Sequence, residues 1–155
     1  MEPAALPGHS RPTVTGVQRE REATGQPSEL VPVLAVAVGG ALGSGLRWAV
    51  SSSLPWRPPG FPWATLAVNV VGCLAIGALL AWLLRLAGQP RWLRPFLATG
   101  VLGGFTTFSA FAVETVRLVD VGAWPSALLY VVVSLGLGLV AVRLGARAVE
   151  QVRGP

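Results

Sequence analysis

Gly103-Gly104-Phe105-Thr106-Thr107-Phe108-Ser109-Ala110-Phe111 lies inside an apolar run long enough to cross a membrane. Two adjacent glycines and two adjacent threonines weaken a helix at that point. In hydrocarbon there is no water to bond freed peptide groups. Irregular backbone persists there only when buried in protein or when lining a polar cavity. The stretch therefore predicts an all-α membrane protein whose third span is broken, and it marks the break as a site.

The composition agrees with a membrane chain. The 155 residues include only 12% charged residues, and the mean hydropathy is +0.60. All 12 basic residues are arginine, and the formal net charge is +5. The arginines flank apolar runs rather than forming a stripe, so they read as membrane anchors and nucleic acid is excluded as a partner. Cys73, the single cysteine, has no partner for an internal disulfide and sits in an apolar run as a small packing residue.

Outward from the opening stretch, the third run spans about 95–119 and also holds Glu114. The second, about 63–84, contains one strongly polar residue, Asn69. The first, about 31–50, is rich in glycine, and Gly39 and Gly43 make a small-xxx-small pair suited to close helix approach. The fourth runs from about 124 to 146. Each spans about 30 Å of hydrocarbon at roughly 1.5 Å per residue. Tryptophans 48, 56, 63, 82, 92 and 124 cluster at the run ends, as interfacial belts do. The membrane-spanning region is taken as 30–149. Residues 1–29 read as a disordered tail without a signal-peptide core, and 150–155 as a C-terminal tail. His9, the one histidine, falls in the first tail with no functional role assigned.

Four spans put both termini on one side. That side carries Arg85, Arg91, Arg94, Arg143, Arg147 and Arg153, against Arg47, Arg57 and Arg117 on the other. The positive-inside rule then puts both termini in the cytoplasm.

The polar residues within the runs admit two readings each. Asn69 is either a hydrogen-bonding link between helices or a neutral donor to an anion. Thr106, Thr107 and Ser109 bring hydroxyls, and an unwound backbone at Gly103 and Gly104 would leave carbonyl oxygens free for a hard cation. Phe108 and Phe111, three apart, share a face as packing residues or as ring edges bearing partial positive charge. Glu114 is the one acid well inside a run and reads as functional, in a vestibule or buried. Tyr130 and Ser134, four apart, share a face for interhelical bonding or for an anion path. No arrangement of nucleophile and base points to an enzyme.

Three segments together resemble the CrcB/Fluc family of fluoride channels. They are Gly39-Gly40-Ala41-Leu42-Gly43-Ser44-Gly45-Leu46-Arg47, Thr65-Leu66-Ala67-Val68-Asn69-Val70-Val71-Gly72, and Thr99 to Phe111. The resemblance covers about residues 33–146. It implies an antiparallel, dual-topology dimer with two fluoride pores at its interface, exporting cytoplasmic fluoride passively. It also implies a central structural sodium ion (Na+) on the backbone carbonyls of Gly103 and Thr106. The fluoride path would carry Asn69, Thr107, Phe108, Ser109, Phe111, Tyr130 and Ser134, with Arg47 and Glu114 at the pore entrances. Gly138 stands where a third polar side chain of the fourth span often occurs.

The implied partners are fluoride, membrane lipid, and a second antiparallel copy or an oppositely oriented paralogue. The implied location is the bacterial inner (plasma) membrane, as a multi-pass protein. Two other classes compete: a small four-helix efflux transporter and a non-transporting membrane subunit. The first would need an acid within the first span, which has none. The second leaves Asn69 and the glycine-threonine stretch without a purpose.

Overall fold

The computed structural model describes residues 30–151 apart from Ala87. The expected N-terminal tail with His9, and Arg153, lie outside the described residues. Helix α1 (Leu30–Ser53) and helix α2 (Trp63–Leu83) are joined by the proline-rich loop. The third span begins as α3 (Pro95–Leu102), a π-helical segment, and gains one α-helical turn, α4 (Gly103–Phe105). It resumes as α5 (Phe108–Asp120), and α6 (Trp124–Gln151) completes the chain.

Four stretches, Leu30–Ser53, Trp63–Leu83, Pro95–Asp120 and Trp124–Gln151, are long and apolar enough to cross a membrane. Their outer faces expose Leu34, Leu42, Leu135 and Leu139. Such surface costs about 25 cal/mol per Å² in water but nothing against lipid tails. The chain is therefore a multi-pass membrane protein, and its described residues form helices without strands. Helix α6 continues past the apolar run at Ala146 through Arg147 and Glu150. Charged residues good at forming helices do not stop one where it leaves the hydrocarbon.

The helices associate as two tight pairs. Helix α1 lies along α3 and α4, and α2 lies along α6, whereas α1 and α2 barely touch. Glycines make both pairings possible. A Cβ on Gly43 would overlap the Val101 carbonyl; one on Gly77 would overlap the Val142 carbonyl; one on Gly145 would overlap the Leu74 carbonyl. In lipid no hydrophobic effect drives helices together, so this backbone-to-backbone approach supplies the van der Waals contact instead. The pairs are joined where α5 meets α6, through a small core of Leu66, Leu118, Ala127 and Tyr130.

The turn between α5 and α6 is defined by its hydrogen bonds. Gly122 N–H donates to Val119 O at 2.9 Å and Ala123 N–H to Leu118 O at 2.8 Å. Gly122 has φ +77, a left-handed value that an L side chain resists. The turn reverses the chain and returns α6 along α5.

Candidate functional site

The backbone of the third span leaves helical geometry at two residues. Thr106 has φ −77 and ψ 158, and Thr107 has φ −148 and ψ 120, both extended. Thr106 is anchored backwards: its N–H donates to Leu102 O at 3.0 Å and its Oγ1 donates to the same oxygen at 2.9 Å. Thr107 faces sideways, to α2. Its N–H donates to Asn69 Oδ1 at 2.8 Å, and Asn69 Nδ2 donates to the Thr107 carbonyl at 2.9 Å. The Asn69 carboxamide thus stands in for a neighbouring peptide. Because the Thr107 N–H can only donate, the pairing also sets which end of the amide is oxygen.

Thr107 then starts the next helix. Its Oγ1 accepts from Ala110 N–H at 3.1 Å, an N-cap bond, and lies 3.2 Å from Ser109 Oγ. These diversions have a consequence for two carbonyls. In an unbroken helix Gly103 O would accept from Thr107 N–H, and Thr106 O from Ala110 N–H. Both donors are committed elsewhere, to Asn69 Oδ1 and to Thr107 Oγ1. The carbonyls of Gly103 and Thr106 are therefore freed of their helical partners. At membrane depth such groups need another partner.

Beside the break lies an open cleft of about 390 Å³, lined among others by Asn69, Gly103, Thr106, Thr107, Phe108, Phe111 and Ser134. Its walls are mainly apolar, with a few polar atoms. Asn69 keeps one amide N–H beyond the one given to Thr107. Ser134 Oγ is buried and has no hydrogen-bond partner among the described residues. The rings of Phe108 and Phe111 lie 5.8 Å apart. Phe108 is 80% exposed and stands at the open side.

Tyr130 and Glu114 form a second cluster next to this cleft. The Tyr130 hydroxyl donates to Glu114 Oε2 and the Thr65 hydroxyl to Glu114 Oε1, each at 2.8 Å. Tyr130 is fully buried, its ring 5.0 Å from Phe111 and 5.5 Å from Phe61. Glu114 thereby ties α5 to α2 and α6 at once. Thr65 was not singled out from the sequence as a site residue. Its signal was its spacing, four residues before Asn69 and so on the same face of α2.

Four residues expected at the site stand apart from the cleft lining: Tyr130 and Glu114, in their own cluster, and Ser109 and Arg47. Ser109 is exposed beyond the N-cap. Arg47, half-buried, lies one turn past Gly43 on the face of α1 that meets α3 and α4. Gly72 and Cys73 line the cleft unforeseen.

Comparison with known proteins agrees with the resemblance. Residues 34–146 match the family described as "CrcB-like protein, Camphor Resistance (CrcB)". The chain is 53% identical over 112 residues to a protein of Paracoccus denitrificans named "Fluoride-specific ion channel FluC", covering 72% of this chain and 89% of that one. It is 46% identical over 114 residues to the FluC protein of Rhizobium meliloti, covering 73% and 91%. It is 43% identical over 122 residues to FluC 1 of Streptomyces coelicolor, covering 78% and 79%. With a family match over residues 34–146, nearly three-quarters of the 155-residue chain, and relatives up to 53% identical, the chain belongs to the CrcB family.

Proposed function

We propose that the protein is a fluoride-specific channel that lowers cytoplasmic fluoride by passive export. One observation carries this reading. A single cleft gathers a spare Asn69 amide N–H, a Ser134 Oγ without a partner among the described residues, and the rings of Phe108 and Phe111 along the break in the third span. Fluoride is small and strongly hydrated, so a path must replace its water with donors that do not trap it. A neutral amide, a hydroxyl and ring edges are moderate donors of that kind. Relatives 43–53% identical bear the name fluoride-specific ion channel.

The cleft is open on the side of Phe108, so it forms half of a conduit. A second copy in antiparallel orientation would close it, and the two copies together would hold two pores. The carbonyls of Gly103 and Thr106 fit a central sodium ion, because both lost their helical donors. Sodium, when bound, supplies positive charge close to the fluoride path and pairs oxygens that lipid cannot. Arg47 and Glu114 then belong to the approaches to the path rather than to its narrow part. The Thr65–Glu114–Tyr130 cluster holds the three spans on which that path is built.

The test is fluoride efflux from liposomes loaded with purified protein, with chloride as control. Fluoride flux without chloride flux is the expected result. No fluoride flux from intact dimers sinks the reading as a homomeric channel, and the oppositely oriented paralogue becomes the partner to co-reconstitute.

A further inference from the structure

Several glycines in this bundle sit where a Cβ would collide, and nearly all of them face backbone. Gly39 and Gly43 would strike peptide atoms of Phe96 and Val101, Gly77 those of Val142, Gly104 those of Gly40, and Gly145 those of Leu74. Gly72 differs. Among the described residues it is the one colliding glycine whose space is filled by a side chain: the Cγ2 methyl of Thr106, with Thr106 Cβ at 3.6 Å and Phe105 Cδ1 at 3.7 Å behind it.

Gly72 lies three residues after Asn69 on α2, so both address the break from one helix face. Asn69 holds Thr107 by its peptide, and Gly72 receives Thr106 by its methyl. Thr106 cannot simply rotate away from a larger residue. Its Cβ carries Oγ1, Cγ2 and a hydrogen, and Oγ1 is committed to Leu102 O at 2.9 Å. Turning the hydrogen toward Gly72 takes Oγ1 off Leu102. Keeping that bond instead moves the Thr106 backbone, and its carbonyl with it.

We infer that Gly72 is a positioning residue of the cation site: its missing Cβ seats the Thr106 methyl on α2 and so determines where the Thr106 carbonyl stands. The inference rests on the sodium site proposed above. It predicts that Gly72→Ala acts through cation binding, whereas a mere packing role would lower stability equally at every sodium concentration.

The test is sodium titration of the purified protein in detergent, with choline as the replacing cation, reading the sodium-dependent rise in melting temperature. Wild type, Gly72→Ala, Thr106→Ser and the double variant are compared. Thr106→Ser removes Cγ2 and keeps the hydroxyl, so it opens the space that an alanine Cβ needs. Gly72→Ala is expected to raise the half-maximal sodium concentration about tenfold, the scale of one lost anchoring hydrogen bond. The double variant is expected to return to the value of Thr106→Ser. Wild-type sodium response in Gly72→Ala, or a double variant no better than Gly72→Ala, overturns the inference while leaving the sodium site standing. No sodium response in the wild type overturns both. If Gly72→Ala does not fold, the double variant decides: recovery of folding with the Thr106→Ser half-point supports the inference, and continued failure overturns it.

Discussion

Asn69 and Thr107 exchange two hydrogen bonds, Thr107 N–H to Oδ1 at 2.8 Å and Nδ2–H to Thr107 O at 2.9 Å. One side chain on α2 therefore bonds both the N–H and the carbonyl of Thr107, the extended residue that caps α5. The sequence left Asn69 with two readings, a link between helices or a donor to an anion. The geometry allows both at once, because the pairing uses the oxygen and one N–H and leaves the second N–H over.

Asn69→Ala is expected to cost stability and flux together. The substitution leaves the Thr107 N–H, on a buried residue, without a partner, about 1–3 kcal/mol of desolvation, while the Thr107 carbonyl keeps its bond to the first turn of α5. It also removes the spare donor from the cleft. Denaturant unfolding in detergent should register the first effect, and fluoride efflux from liposomes the second, as a loss of at least about tenfold in rate if one donor contributes about 1.4 kcal/mol to passage. Full flux in a destabilised variant would assign Asn69 to structure alone.

Phe108 and Phe111 should separate where Asn69 does not. Phe108 is 80% exposed and meets Phe111 at 5.8 Å, so it contributes little to the packing of the chain. Phe111 also packs on the buried ring of Tyr130 at 5.0 Å. Phe108→Ile is expected to cut fluoride flux with stability unchanged within about 0.5 kcal/mol. Phe111→Ile is expected to lower both, with about 0.5–1.5 kcal/mol from the lost aromatic pairing alone. Equal thermal melts for the two variants would contradict this division.

The four spans were legible because twenty apolar residues in a row have few other uses; within the third, the extended Thr106 and Thr107 follow glycines, and glycine and threonine are poor helix formers. Tertiary partners were less so. That Tyr130 gives its hydroxyl to Glu114 depends on how α5 and α6 turn about one another, and spacing within one helix carries no such information. Spacing did relate Tyr130 to Ser134, yet the two divide their roles: one is locked in a hydrogen-bonded cluster and the other lines the cleft. The pairing of α1 with α3 and of α2 with α6 was half visible. Gly39 and Gly43 announced a close approach without naming the helix that approaches.

The Glu114 cluster is expected to be cooperative. Thr65→Val and Tyr130→Phe each remove one of two donors to the same carboxylate. Each should destabilise by about 1–3 kcal/mol, as the loss of a hydrogen bond to a charged group does. Together they strip Glu114 of both donors, so their effects should depart from additivity by about 0.5–3 kcal/mol. A double-mutant cycle read from unfolding in detergent measures this. Additivity within error would mean that water or lipid headgroups reach Glu114 and replace the donors.

Two glycines of α6 are expected to respond to alanine with opposite signs. At Gly145 a Cβ would run into the Leu74 carbonyl and crowd Ala78 N at 2.9 Å, all of it backbone of α2. Neither atom can swing aside as a side chain can, so Gly145→Ala must spread the α2–α6 pair, at about 1–3 kcal/mol or more. At Gly136 a Cβ meets nothing within 4 Å. There the substitution only removes unfolded-chain freedom and restores helix propensity, a gain of about 0.5–1 kcal/mol. Unfolding of the two variants, each as monomer and as dimer, reads both effects. A gain for Gly136→Ala in the monomer that turns to a loss in the dimer would put a second copy against that face of α6, since nothing among the described residues fills the space.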